Sequence, residues 1–252
     1  MRLAVLLLAV LAAAAPSPAP SAVLVSAAAS LTDAMTAIAK GYEQATGVHV
    51  TLNVGASSAL ARQITNGAPV DVFVSADEAQ MNLVARAGLV QPGTRVDLLS
   101  NQLVVVMPKS EAHPLGSARD LAAPAIHRLA MADPGAVPAG VYAKAYLESQ
   151  GLWSAIQPKV VPTLDVRAAL AAVDSGNVDA AFVYRTDAAL SSRSTIVFAV
   201  PRDRGPKIVY PAAVVKDAPH PEAARRFLAY LRGAEARARF EQFGFVVPGD
   251  GR

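Results

Sequence analysis

Beyond the first two dozen residues, short apolar runs alternate with segments whose apolar positions recur every three or four residues. That is the pattern of strands and amphipathic helices in a sheet covered on both faces. Val23–Ala27 reads as a strand, and Ser30-Leu31-Thr32-Asp33 as a capping box opening a helix that runs to about Gln44, before Gly47. Val48–Val54 is the next strand, Gly55-Ala56-Ser57-Ser58 turns into a helix from Ala59 to about Thr65, and Val70–Ser75 follows as a third strand. After the strand Leu103–Met107, Pro108 and the polar stretch Lys109–Ser117 interrupt the pattern, and then its order recurs. Strand Arg128–Met131, turn Asp133–Val137, helix Gly140–Ser149, strand Lys159–Pro162, helix Val166–Asp174 and strand Ala180–Tyr184 make the second series. Ile208–Val215 returns as a strand, and Pro221–Leu231 and Ala234–Phe243 close as helices that pack on the first series.

The recurrence has a register. Ser57–Ser75 and Val166–Tyr184 match at an offset of 109 residues: each opens a helix, reaches a glycine (Gly67, Gly176) ten positions on, and enters a short apolar strand. The same offset carries Ser30 to Ala139, and both sit at expected helix starts. Two alike halves imply an α/β protein of two facing lobes with mainly parallel sheets. Lobe I is expected over residues 23–101 and 208–252, lobe II over 102–207, and two connecting segments make a hinge. Loops at the carboxyl ends of such strands are where α/β sheets bind ligands.

The 252 residues, 53% of them hydrophobic, are enough for two modest cores. Met1-Arg2, the apolar run Leu3–Ala15 and a Pro/Ser/Ala stretch give residues 1–22 the character of a secretory signal cleaved near Val23. The run is too short to span a bilayer, and Pro16, Pro18 and Pro20 disfavour a buried helix there. With no cysteine there is neither a disulfide framework nor a thiol for a lipid anchor, so the expected product is soluble in a periplasm-like space. A net charge of +3, with its Lys and Arg scattered, gives no nucleic-acid footprint, and a single Trp argues against a sugar cleft.

The candidate chemistry lies at the matched helix starts. Unpaired N–H groups and the positive end of the macrodipole suit a small anion. Ser30 and Ser57 add hydroxyls, Ala139 and Val166 offer only backbone N–H, and Tyr184, ending an apolar strand, can point its phenol into the cleft. All of these donate hydrogen, and none is a Lys, Arg or His. Such a set complements a fully ionised tetrahedral oxyanion better than a partly protonated one such as hydrogen phosphate. Asp33 and Asp165 lie close in sequence but suit caps. A serine hydrolase is the enzymatic alternative, yet Gly55-Ala56-Ser57-Ser58-Ala59 lacks the second glycine of a nucleophile elbow. His49, His113, His127 and His220 have no metal-ligand spacing, and no phosphate-cradling glycine motif is present. Sulfate or another tetrahedral anion stays open as ligand.

Six motifs then carry a resemblance: Ala27-Ala28-Ala29-Ser30-Leu31-Thr32-Asp33-Ala34, Gly55-Ala56-Ser57-Ser58-Ala59-Leu60-Ala61-Arg62-Gln63-Ile64, Asp71-Val72-Phe73-Val74-Ser75-Ala76-Asp77, Asp133-Pro134 with Val137-Pro138-Ala139-Gly140, Asp165-Val166-Arg167-Ala168-Ala169-Leu170 and Val183-Tyr184-Arg185-Thr186-Asp187-Ala188. In order and over nearly the whole mature chain, they resemble the periplasmic molybdate-binding proteins of ABC importers. The resemblance implies a type II periplasmic binding protein fold closing on molybdate or tungstate, held by its oxygens with no metal–protein bond. It implies a monomeric receptor with no cofactor and no catalysis, which docks on an ABC permease driven by ATPase subunits. The family's ligand positions fall on Ser30, Ser57, Ala139, Val166 and Tyr184. Two departures stand out: Gly55-Ala56 replaces a more serine-rich turn, and Arg185 stands where relatives have a small residue.

Overall fold

The structure, a computed structural model, describes residues 22–248. Apart from Ala22, the expected signal segment lies outside the described residues. From the amino end run β1 (Ala22–Ala28), a 3-10 turn (Ala29–Leu31), α1 (Thr32–Thr46), β2 (His49–Gly55), α2 (Ser57–Thr65), β3 (Val72–Val74), α3 (Glu78–Arg86) and β4 (Val96–Leu99). The chain then crosses to β5 (Leu103–Pro108), a 3-10 turn (Ala118–Ala122), β6 (Leu129–Ala132), α4 (Pro138–Ser149), α5 (Trp153–Ile156), a 3-10 turn (Gln157–Lys159), β7 (Val160–Thr163), α6 (Val166–Asp174), β8 (Ala180–Tyr184), α7 (Arg185–Ala188) and β9 (Ser194–Ala199). It returns for β10 (Tyr210–Val214), α8 (Pro221–Leu231) and α9 (Ala234–Gln242).

Two five-stranded sheets result, ordered β2-β1-β3-β10-β4 and β7-β6-β8-β5-β9. In each, the strand fourth in order is antiparallel to both neighbours and the other four run one way. The two sheets therefore share one plan. The reversed strand is lent across the hinge: β10 comes from the end of the chain, and β5 is the first strand after the crossing.

In the first sheet, alternation along β3 sends Val72 and Val74 into a core with Met35 and Ile38 of α1 and Phe227 and Leu231 of α8. Phe73, between them, faces Leu60 and Ile64 of α2 and Met81 and Val84 of α3 on the opposite side. The crossing segments lie side by side. Ser100 Oγ donates to the Ile208 carbonyl at 2.7 Å, and Gln102 Nε2 donates to that of Val200 at 2.8 Å.

Several boundaries differ from the sequence reading in ways that matter for the loops. α2 opens at Ser57 rather than Ala59, and α4 at Pro138 rather than Gly140, so Ser57 and Ala139 belong to first helical turns. Thr36 and Thr46 each donate to a carbonyl four residues back, and α1 runs on to Thr46 before Gly47 turns it at φ 71°. α3, β4 and β9 had no strong signal. Both strands are sheet edges with mixed exposure, where alternation is weakest.

Candidate functional site

Between the carboxyl ends of the two sets of parallel strands lies a small cavity of about 20 Å3, lined among others by Ser30, Ser57, Ala139, Val166 and Tyr184. Its size suits a small ion and, as it stands, leaves no room for a sugar ring or a peptide.

No capping box forms at Ser30, because the chain enters α1 through a 3-10 turn and Ser30 sits within that turn. Its Oγ lies 3.0 Å from the Tyr210 hydroxyl instead. Asp33, the expected acidic partner of the box, pairs with Arg167. Ser57 is the first residue of α2, with Ala56 as N-cap, and its Oγ accepts the Ala76 N–H at 2.9 Å. That bond fixes the oxygen as an acceptor toward the strand and leaves its single hydrogen to be donated elsewhere. The Ser57 and Ser58 N–H groups precede the first intrahelical bonds, which Ala59 and Leu60 make to the Ala56 carbonyl.

The second lobe presents matching groups. In α4 the first amide to bond back along the helix is that of Val141, to Val137, so the Ala139 N–H belongs to the orphan first turn. Pro138 takes the first helical position, where a missing N–H costs nothing. Asp165 caps α6 by accepting the Ala168 N–H at 2.9 Å; Val166, the first helical residue, keeps its own N–H free of that cap. Tyr184 ends β8 with its ring fully buried, and its hydroxyl has no hydrogen-bond partner. Burial, reinforced by neighbouring tyrosines and carboxylates, holds its pKa far above the ordinary phenol value, so the group is a proton donor. A buried donor left unmet costs about 1–3 kcal/mol.

Among the described residues, Asp165 is the one charged side chain lining the cavity, and its carboxylate is engaged as a cap. Arg167, next in sequence to Val166, turns aside: it reaches Asp33 at 2.7 Å and the Ser30 carbonyl at 3.3 Å, and pairs with Asp187 at 2.6 Å. Arg167 and Asp187 belong to the second lobe, Asp33 and Ser30 to the first, so this cluster ties the lobes together beside the cavity. Arg185, the departure noted in sequence, is tethered to Gln102 at 2.8 Å and does not line the cavity. Among the described residues no group of three or more His, Cys, Asp or Glu is placed to hold a metal ion.

Sequence reasoning missed Tyr210 and Asn101, which stand behind Ser30, and the Ala76 N–H behind Ser57. Tyr210 and Ser30 are 180 residues apart, so no local pattern joins them. Ala76 lay in plain view, in the motif after β3, but its partner was visible only once folded.

The family model for bacterial extracellular solute-binding proteins matches residues 23–246. YvgL of Bacillus subtilis (strain 168), a candidate ABC transporter substrate-binding lipoprotein, is 40% identical over 225 residues, covering 88% of this chain and 85% of its own length. The molybdate-binding protein ModA of Escherichia coli (strain K12) is 39% identical over 235 residues, 89% of each chain. Among solved structures, the periplasmic molybdate-binding protein of Azotobacter vinelandii superposes with a TM-score of 0.80 at 26% identity, over 90% of this chain and 99% of that one. The chain belongs to the ModA family of bacterial extracellular solute-binding proteins.

Proposed function

We propose that this protein captures molybdate, and tungstate with it, between its two lobes and delivers the anion to an ABC importer. One observation carries the reading: uncharged donors from both lobes converge on one anion-sized cavity, and one of them, the Tyr184 hydroxyl, is buried with no partner in the protein. The hydroxyls of Ser30, Ser57 and Tyr184 and the N–H groups of Ala139 and Val166 would hold the oxygens of a tetrahedral dianion. Each such bond to a charged ligand contributes roughly 1.5–3 kcal/mol, enough together for tight binding after ordering costs. The metal centre would stay inside its oxygen shell and touch no side chain. Tungstate shares the shape and charge of molybdate, so the same donors serve both.

The rest of the reading follows from the family. The mature chain would be exported by its amino-terminal signal and act as a soluble monomer outside the cytoplasm. Once closed, it would dock on a permease whose ATPase subunits power import. No reaction is assigned: Ser57 Oγ bonds to a backbone N–H rather than to a base, which leaves the hydrolase alternative without an activated nucleophile.

Titration calorimetry with molybdate, tungstate, sulfate and phosphate tests this. Molybdate and tungstate should bind far more tightly than sulfate or phosphate, and Ser57→Ala should weaken molybdate binding by roughly 1–3 kcal/mol. Tightest binding of sulfate would reassign the ligand, and an unchanged affinity in the variant would remove Ser57 from the site.

A further inference from the structure

Behind Ser30 lies a chain of hydrogen bonds whose direction is fixed at the hinge. Asn101 sits on the first crossing segment, and its side-chain oxygen accepts the Gln102 N–H at 2.8 Å. That contact settles which end of the amide is nitrogen. The nitrogen donates to Thr186 Oγ1 at 2.9 Å and to the Tyr210 hydroxyl at 3.3 Å. A phenol has one hydrogen. With its oxygen receiving from Asn101 and the phenol fully buried, Tyr210 has Ser30 Oγ, 3.0 Å away, as the one partner among the described residues that can take its hydrogen. Ser30 then receives, and its own hydrogen is left for the cavity it lines. Ser30, Asn101, Thr186 and Tyr210 are all buried, so water does not compete for these bonds. Burial also keeps the Tyr210 phenol protonated.

We propose that Asn101 is a positioning residue for anion binding: through Tyr210 it keeps the Ser30 hydroxyl a donor toward the cavity. The proposal rests on the cavity being an anion site and adds what makes a serine there reliable. A hydroxyl can donate or accept, and for a fully ionised oxyanion only donation helps. Reversing the chain would turn the Ser30 hydrogen toward Tyr210 and present lone pairs to the anion. The position of Asn101 adds a second consequence, since Thr186 lies two residues beyond Tyr184 and Tyr210 opens the strand after the return crossing. One amide at the hinge thus reaches elements of both lobes.

A double-mutant cycle tests this by calorimetry with molybdate at pH 8.5, above the value of about 7 to which burial lifts the Asp187 carboxyl. Asn101→Asp replaces the donor by an acceptor, draws the Tyr210 hydrogen to itself and reverses the chain. It should cost at least about tenfold more in affinity with Tyr210 present than in the Tyr210→Phe background, the scale of one lost hydrogen bond to a charged ligand. Asn101→Leu, which removes direction without adding charge, should show a smaller loss that also vanishes in the Tyr210→Phe background. Equal losses in both backgrounds would mean simple charge repulsion or loosened packing and would overturn the proposal, as would no loss at all. A wild-type protein that binds none of molybdate, sulfate or phosphate would overturn the anion reading itself, an outcome separate from additivity in the cycle.

Discussion

Asp187 has no exposed surface, and its carboxylate pairs with Arg167 at 2.6 Å. Burial pushes its pKa up from 3.8 to about 7, with the Arg167 guanidinium pulling the other way and losing. The unfolded chain releases this proton near the ordinary carboxylate value, so between the two values the folded state binds more protons. The stability this group contributes is therefore fully present below about 3.8 and is lost as pH rises toward about 7. Asp77, raised by burial as well, acts in the same direction. The melting temperature of the wild type relative to Asp187→Asn should fall steadily from pH 4 to pH 7 in thermal melts. A flat or rising difference would show that the ion pair outweighs desolvation. The same residue-scale logic explains why Asp33 misled as a cap: its sequence spacing was right, but an arginine 134 residues away offered a stronger partner.

At the scale of elements, the cavity exists because helix starts are held close to strand ends. α4 shows how tight this is. A Cβ added at Gly140 would lie 1.9 Å from the Ala132 carbonyl oxygen and 2.7 Å from that of Asp133, so the first turn of α4 rests directly on the end of β6. Backbone cannot yield cheaply there. Gly140→Ala should destabilise the protein by roughly 1–3 kcal/mol, as overpacking does. By tilting Ala139 away from the cavity it should also weaken molybdate binding at least tenfold, read by melting and calorimetry. Intact affinity would mean that the α4 start is not part of the site. The repeat noticed in sequence has an element-scale cause too. α2 and α6 are each nine residues long, and Gly67 (φ 88°) and Gly176 (φ 71°) turn the chain back toward β3 and β8.

For the molecule as a whole, Arg167 spans the gap between lobes, anchored on its own side by Asp187 and reaching Asp33 and the Ser30 carbonyl on the other. The anion would favour closure because only the closed form supplies donors from both lobes, and this strut favours the same form. Asp33 is partly exposed, so its share is small: Asp33→Ala should weaken molybdate binding about two- to fivefold, mostly through faster release, since exposed ion pairs contribute under about 1 kcal/mol. Arg167→Met should cost far more stability, because it strands the buried Asp187. Stopped-flow release rates and melts distinguish the two effects, and an unchanged release rate in Asp33→Ala would exclude the strut.

Hydrophobic periodicity marked the alternation of strands and helices, and the repeat at an offset of 109 residues brought Ser30, Ser57, Ala139 and Val166 to or beside helix starts, with Tyr184 at a strand end. These are local properties, set by neighbours within a turn or two of chain, and so they can be seen in one dimension. Tertiary structure decided which way those groups face and what stands behind them. It replaced the capping box at Ser30 by a bond to Tyr210, set the Ala76 N–H on Ser57, and drew Asp33 to Arg167. A hydroxyl or carboxylate can satisfy several partners, and burial removes water as the default one. The choice then falls to whichever distant group the fold brings within 3 Å, and sequence spacing carries no record of it.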